Sequence, residues 1–251
     1  MLPYIHIILP SYTVMAFLGS FFALMFLFFR IERYNFEFDE FLKMFVAGLI
    51  GCILGSKILY FLTLLPTQED FSLEGLTILF FQSGYVFYGG LFGTLAALKI
   101  FSKYQKKDLR NIFKMVAPAL PLFHGFGRIG CFLAGCCYGV ELDPPIILFD
   151  AIELHILPTQ IIESAFEFIL FVILWRAEKF FPNIDKLKIY LLSYATFRFA
   201  IEFFRADTDR GFWLGVSTSQ WISIFILAYY LIKWLKNKIK FNAKNFKAAE
   251  N

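Results

Sequence analysis

The sixteen residues from His124 to Gly139, HGFGRIGCFLAGCCYG, set one arginine, one histidine, three cysteines and five glycines at the end of an apolar stretch. An arginine at membrane depth costs about 2.5–3.5 kcal/mol even on a lenient insertion scale, so one is retained where it holds something. Glycines on both sides remove side-chain bulk and let backbone N–H groups come close to a ligand. A cation among exposed amides is the chemistry of an anion site. In a membrane the abundant anion is a phospholipid phosphate.

The elements that must position these residues are apolar helices. The chain is 59% hydrophobic with 35 phenylalanines, and apolar runs of membrane-spanning length recur along it. The expected fold is an all-α integral membrane protein of seven transmembrane helices, over residues 10–29, 42–65, 85–101, 111–128, 158–175, 188–205 and 218–235. Pro118 and Pro121 interrupt the fourth span and predict a kinked or partly re-entrant helix. The basic residues test the count independently. Arg30 and Arg33 follow the first span, Lys99 to Lys114 the third, and Arg176 to Lys188 the fifth; Lys236 to Lys247 follow the seventh, and the other connections are nearly empty of them. This alternation predicts an N-terminus outside and a C-terminus in the cytoplasm. Arg205 and Arg210 break it and stand beside Asp207 and Asp209. A net charge of +4 then needs no nucleic-acid partner, because the basic residues face anionic cytoplasmic lipid. One membrane domain over 1–236 is expected, with a basic cytoplasmic tail, solvated and in the simplest reading disordered, over 237–251. The first span lacks the basic leader of a cleavable signal peptide.

Read for depth, the spans carry charge toward the outer side. Lys57 lies in the outer half of the second span, Tyr88 opens the third, Arg128 ends the fourth, and Glu163 and Glu167 begin the fifth. In the sixth, Tyr194, Arg198, Glu202 and Arg205 fall within an arc of about 80° on an ideal helix. Arg198 and Glu202 are spaced to pair. Any one of these charges can be structural. Four cations at one depth, Lys57, Arg128, Arg198 and Arg205, point instead to a substrate path open to the outer leaflet.

GRIGCFLAGCCYG at 127–139, LPTQIIES at 157–164 and YATFRFAIEFFRAD at 194–207 resemble three motifs of the bacterial prolipoprotein diacylglyceryl transferase family. FYGGLFG at 87–93, the tyrosine in PSYTVMAFLG at 10–19 and LGSKILY at 54–60 extend the resemblance over most of the chain. It implies a seven-span transferase that moves the diacylglyceryl group of phosphatidylglycerol to the lipobox cysteine thiol of a prolipoprotein signal peptide, releasing glycerol phosphate. By position, Arg128 matches the family's essential arginine, and Arg198, Glu202 and Arg205 its set in the sixth span. Tyr12, Gly130, Gly139, Gln160, Glu163 and Tyr194 match as well. No cofactor is implied.

From the residues alone, Arg128 and Arg198 are expected to hold and neutralise a phosphate; the resemblance implies Lys57, Gly130, Tyr12, Tyr194 and Gln160 around the phospholipid. Glu202, Arg205, Glu163 and Gly139 are expected to support the structure or position the peptide. The family's arginine block carries asparagines and a glutamate where this chain has Cys131, Ala134 and Cys136. Its histidine before the Gly-Gly pair is Tyr88 here, and the histidine and tyrosine of its HPSQLYE-like segment are Leu157 and Ile162. His124, one helical turn before Arg128, is a candidate general base in compensation; the plainer alternative is an ordinary hydrogen-bonded histidine. Tyr88 is expected to donate to phosphate or glycerol. The plainest reading of Cys131, Cys136 and Cys137 is small packing residues with no metal, since their spacing is not a usual ligand pattern. A disulfide is permitted on the outer side. Two rivals stand beside the transferase: a related enzyme with another acceptor, and a lipid-binding or anion-transport protein without chemistry.

Overall fold

The computed structural model describes residues 4–5, 9–65, 71–82, 85–148, 152–206 and 211–249. The described residues are largely helical and form two compact units, Met1–Cys137 with Gln160–Leu187, and Tyr138–Thr159 with Lys188–Asn251.

The first unit opens with a short antiparallel pairing of β1 (Tyr4–Ile5) and β2 (Leu9–Pro10). It continues through α1 (Ser11–Phe28), α2 (Phe38–Leu64), α3 (Leu73–Gln82), α4 (Phe87–Tyr104), α5 (Leu109–Val116) and α6 (Ala119–Ala134), and is completed by α7 (Thr159–Phe180). Helix α3 was not anticipated. Helices α2 and α4 meet backbone to backbone, because each carries two glycines four residues apart. A Cβ on Gly51 would lie 2.5 Å from the Gly93 carbonyl oxygen, and one on Gly89 would lie 2.7 Å from Leu59 Cβ. Small residues at this spacing let apolar helices approach closely where lipid supplies no hydrophobic drive between them. Cys52 belongs to the same interface, as expected, since a Cβ on Gly90 would lie 3.0 Å from its Sγ. Beyond this seam Phe41, Met44, Leu98, Phe101, Ile112 and Met115 form a buried core.

The proline-marked interruption of the fourth span falls between α5 and α6, whose axes bend by 41°. Pro121 lies in the first turn of α6, where a missing N–H costs nothing. Asp108 caps α5 by accepting from the Arg110 backbone N–H at 3.0 Å. Two helices, Ser11–Phe28 and Phe38–Leu64, are long and apolar enough to cross a membrane, or three spans if the bent α5–α6 pair counts as one. Their outer faces carry exposed Phe17, Phe21, Ile50, Ile53, Leu54 and Ile58, a surface suited to lipid.

The second unit contains an antiparallel hairpin of β3 (Glu141–Leu148) and β4 (Ile152–Ile156), then α8 (Lys186–Ile201), whose first two residues count with the first unit. A two-residue hairpin, β5 (Phe212–Trp213) with β6 (Val216–Ser217), turns through Leu214 and Gly215, both at positive φ. It leads into α9 (Thr218–Ala249). Ser217 and Gln220 cap α9 reciprocally: the Gln220 N–H donates to Ser217 Oγ at 3.2 Å, and the Ser217 N–H donates to Gln220 Oε1 at 3.1 Å. Helix α9 runs through most of the stretch expected as a disordered tail; no proline or glycine follows Gly215 to stop it.

One expectation is corrected. Helix α8 ends at Ile201, Glu202–Phe204 form a 3-10 turn, and Arg205 is extended, so it does not continue the helical face of Tyr194 and Arg198. Asp207, Asp209 and Arg210 lie outside the described residues.

Candidate active site

Helices α6 and α7 are joined by an antiparallel series of polar contacts. The Gln160 side-chain amide donates to the Cys136 carbonyl oxygen at 2.6 Å. Arg128 Nη2 lies 2.7 Å from Glu163 Oε1. Ser164 Oγ donates to the Gly125 carbonyl oxygen at 2.9 Å, and His124 Nδ1 lies 2.8 Å from Glu167 Oε1. On α7 the four residues are at positions i, i+3, i+4 and i+7, one face of a helix. All four are buried, as are His124 and Arg128. Charges in such a place must be paired to be tolerated, and here each carboxylate has its cationic or ring partner.

The seam explains its small residues. A Cβ on Gly125 would lie 2.8 Å from the Phe168 ring, so glycine there admits α7. Gly130 faces the other way: a Cβ would lie 3.2 Å from Tyr12 Cα and 3.1 Å from Met15 Cβ, which seats α1 against α6. Phe87 stacks on His124 with ring centroids 3.6 Å apart and fixes the imidazole plane. The Nδ1 contact with Glu167 orients the ring from the other side. Gln160 Oε1 and Glu167 Oε2 are buried acceptors with no hydrogen-bond partner among the described residues. Between α1, α6 and α7 runs an apolar groove of about 490 Å³, lined by residues that include Phe22, Phe26, Leu122, Phe126 and Phe168.

Other expected residues are placed as follows. Tyr88 is buried on α4 with its ring stacked on Phe92. Lys57 reaches from α2 to α3, where Nζ donates to the Phe80 carbonyl oxygen at 3.3 Å and lies 5.4 Å from the centre of the Tyr85 ring. In the second unit, Arg198 Nη1 lies 2.6 Å from Glu202 Oε2, and Nη2 donates to Ser219 Oγ at 3.2 Å. Tyr194 is buried and stacked on Tyr190. Gly139 pairs with Arg205 in an isolated antiparallel bridge. A Cβ there would lie 2.6 Å from the Leu157 carbonyl oxygen and 2.8 Å from that of Phe204, so three chain segments cross where only glycine fits. This bridge is what takes Arg205 off the helix.

Sequence reasoning missed a second buried centre. Glu178, near the end of α7, binds Arg30 and lies 2.9 Å from Lys186 Nζ and 3.0 Å from Arg33 Nε. The Tyr34 hydroxyl donates to Glu178 Oε1 at 2.9 Å and accepts from Lys186 at 3.1 Å. Burial opposes ionisation of Glu178, but hydrogen bonds from Arg30, Lys186 and Tyr34 outweigh it and hold its carboxyl below the usual range. The Tyr34 hydroxyl is pushed up to about 12, chiefly by burial. The available signal was Glu178 standing between Arg176 and Lys179 in a basic connection.

A buried polar seam carrying an arginine, in a chain with helices long and apolar enough to cross a membrane, defines a helical membrane protein. The sequence profile of the prolipoprotein diacylglyceryl transferase family matches residues 2–235, and the chain belongs to that family. It is 35% identical over 224 residues to the phosphatidylglycerol–prolipoprotein diacylglyceryl transferase of Clostridium tetani, covering 86% of this chain and 88% of that one. It is 36% identical over 238 residues to the enzyme numbered 2 of Clostridium perfringens, covering 92% and 91%. A more distant relative, from Idiomarina loihiensis, is 30% identical over 214 residues, covering 81% and 79%. The family resemblance read from the motifs is therefore borne out.

Proposed function

We propose that this chain transfers the diacylglyceryl group of phosphatidylglycerol to the cysteine thiol of a prolipoprotein signal peptide and releases glycerol phosphate. Family membership supports the reaction, and the relatives' names give both substrates. The observation that carries the site is Arg128 held against Glu163 in a buried seam. In the reaction a C–S bond forms at the terminal glyceryl carbon of the lipid while its C–O bond to phosphate breaks. The bonding electrons go to the phosphate oxygen, and the thiol proton goes to a base.

Arg128 carries a permanent charge and a forked set of donors, so it can hold a carboxylate and a phosphate together and stabilise the charge that grows on the leaving oxygen. His124, oriented by Glu167 and Phe87, takes the thiol proton at Nε2; thiolate, not thiol, is the nucleophile. Gln160 and Glu167 offer acceptors for the hydroxyls of the glycerol headgroup, and the groove beside Phe126 takes an acyl chain. Arg198, Tyr12, Tyr194, Tyr88 and Lys57 keep their lipid-side roles, and Glu202, Arg205 and Gly139 their positioning role.

The topology follows the same reading. Seven crossings in the bacterial inner membrane, with the N-terminus and the substrate path on the outer side, are supported by the alternation of basic connections and by helices at each of the seven expected spans. The domain is single over 1–236. The test is to mix the purified protein with phosphatidylglycerol and a lipobox peptide. A thioether-linked diacylglyceryl peptide and one glycerol phosphate per product are expected; an unmodified peptide in the presence of bound lipid overturns the proposal.

A further inference from the structure

We propose that Cys131, Cys136 and Cys137 form a three-thiolate site for a thiophilic d10 cation, Cu(I) or Zn2+. Their sulfur atoms all lie within 4.8 Å of one another, and no disulfide joins them. The convergence comes from how α6 ends. Gly135 adopts φ 76°, its N–H donates to the Phe132 carbonyl oxygen, and the Cys136 N–H reaches back to the Cys131 carbonyl oxygen at 3.2 Å. This closing turn normally brings a pair of apolar side chains together across the helix end. Here the pair is Cys131 and Cys136. Cys137, at φ 62°, turns the chain again and adds the third sulfur. The Gln160 amide pins the Cys136 carbonyl from α7, so the loop is held from a second helix.

Packing does not account for the set. Cys131 is buried, but Cys136 is exposed and Cys137 half-buried, so the cluster opens to the protein surface. Thiolates that share one ion at metal–sulfur distances of about 2.3 Å stand roughly 4 Å apart. Closing from the present spacing takes less than an ångström of side-chain movement. Three soft donors suit Cu(I) by number and Zn2+ with one position left for water. Binding releases the thiol protons to solvent, and the ion forms the only new bonds. It would clip the end of the helix that bears Arg128 to the segment leading to Gly139. Sequence spacing hid the site because adjacent cysteines rarely both face inward; the two positive-φ residues allow it.

The experiment uses the full chain, purified in detergent, reduced and freed of metal. Zn2+ and chelator-buffered Cu(I) are titrated separately, with stoichiometry by elemental analysis and a thiolate-to-metal ultraviolet band as the readout. One ion per chain is expected, retained in Cys52→Ser and lost in Cys136→Ser/Cys137→Ser. The single variant Cys136→Ala, at an exposed position, is expected to weaken binding at least tenfold while the melting temperature stays that of the metal-free wild type. The preferred ion is read from which titration saturates first. No binding by either ion, unchanged binding in the double variant, or a disulfide whose reduction restores no ion binding overturns the proposal.

Discussion

Arg128 and Glu163 approach to 2.7 Å across the α6–α7 interface while both are almost fully buried. The residues one turn further along the two helices, His124 and Glu167, repeat the contact at 2.8 Å. The helices thus carry a charge-paired rung and an imidazole–carboxylate rung in succession. A guanidinium and an imidazole are set one helical turn apart on one face of α6. The first rung separates stability from chemistry.

Removing Glu163 alone takes the nearest carboxylate, at 2.7 Å, from a buried guanidinium, so Glu163→Ala should destabilise the protein by about 3–5 kcal/mol. Replacing both partners, Arg128→Met with Glu163→Met, should restore most of that stability while product formation stays absent. Thermal unfolding in detergent and the peptide assay, run side by side, check the two halves.

His124→Gln should leave phosphatidylglycerol binding unchanged and lower turnover by about 10²-fold or more, the low end of general-base effects. Glu167→Gln keeps the ring in place but weakens its support, so a smaller loss is expected. Turnover at the wild-type rate in His124→Gln removes the histidine from the chemistry.

The closest point of the α2–α4 crossing, at Gly51, Gly55, Gly89 and Gly93, should be intolerant of an added side chain. Gly93→Val places its Cβ within the backbone of Gly51 and Gly55 on the facing helix. Overpacking of a core costs about 1–3 kcal/mol where side chains can yield; backbone cannot yield, so the loss should reach or exceed that upper value. Yield of folded protein from membranes and its melting temperature measure it. Gly48→Ala, whose nearest neighbours would be 3.8 Å away, is the tolerated control.

The Glu178 centre gives a pH signature. Its carboxyl is depressed, so it contributes stability above the ordinary carboxylate range, and that contribution fades as pH falls through its folded value. Tyr34 acts at the other end. Raised to about 12, its hydroxyl favours folding below the ordinary tyrosine range, and the contribution is lost as pH climbs through about 12. Melting temperature against pH should lose its acid limb in Glu178→Gln and its alkaline limb in Tyr34→Phe.

Much of this was legible locally. Arg128, His124 and Glu163 stand out because charge inside an apolar run is costly, and Gly51, Gly55 and Cys52 because small residues recur at helical spacing. What the sequence could not carry is partnership over distance. His124 meets a carboxylate 43 residues away, and Glu178 gathers Arg30 from 148 residues away. Arg205 was misplaced for the same reason: Phe203 and Phe204 read as more helix, while the pairing of Gly139 with Arg205, a long-range backbone contact, ends it. The hairpin of β3 and β4 gave little warning, since its alternation is broken by Pro144 and Pro145.

The most direct test compares wild type with Arg128→Ala in the peptide assay, after equal folding has been verified by melting temperature. The account predicts a diacylglyceryl-modified peptide with wild type and a loss of at least 10²-fold, the scale of removing one charge-stabilising donor, in the variant. Lipidation by Arg128→Ala at near the wild-type rate would contradict it.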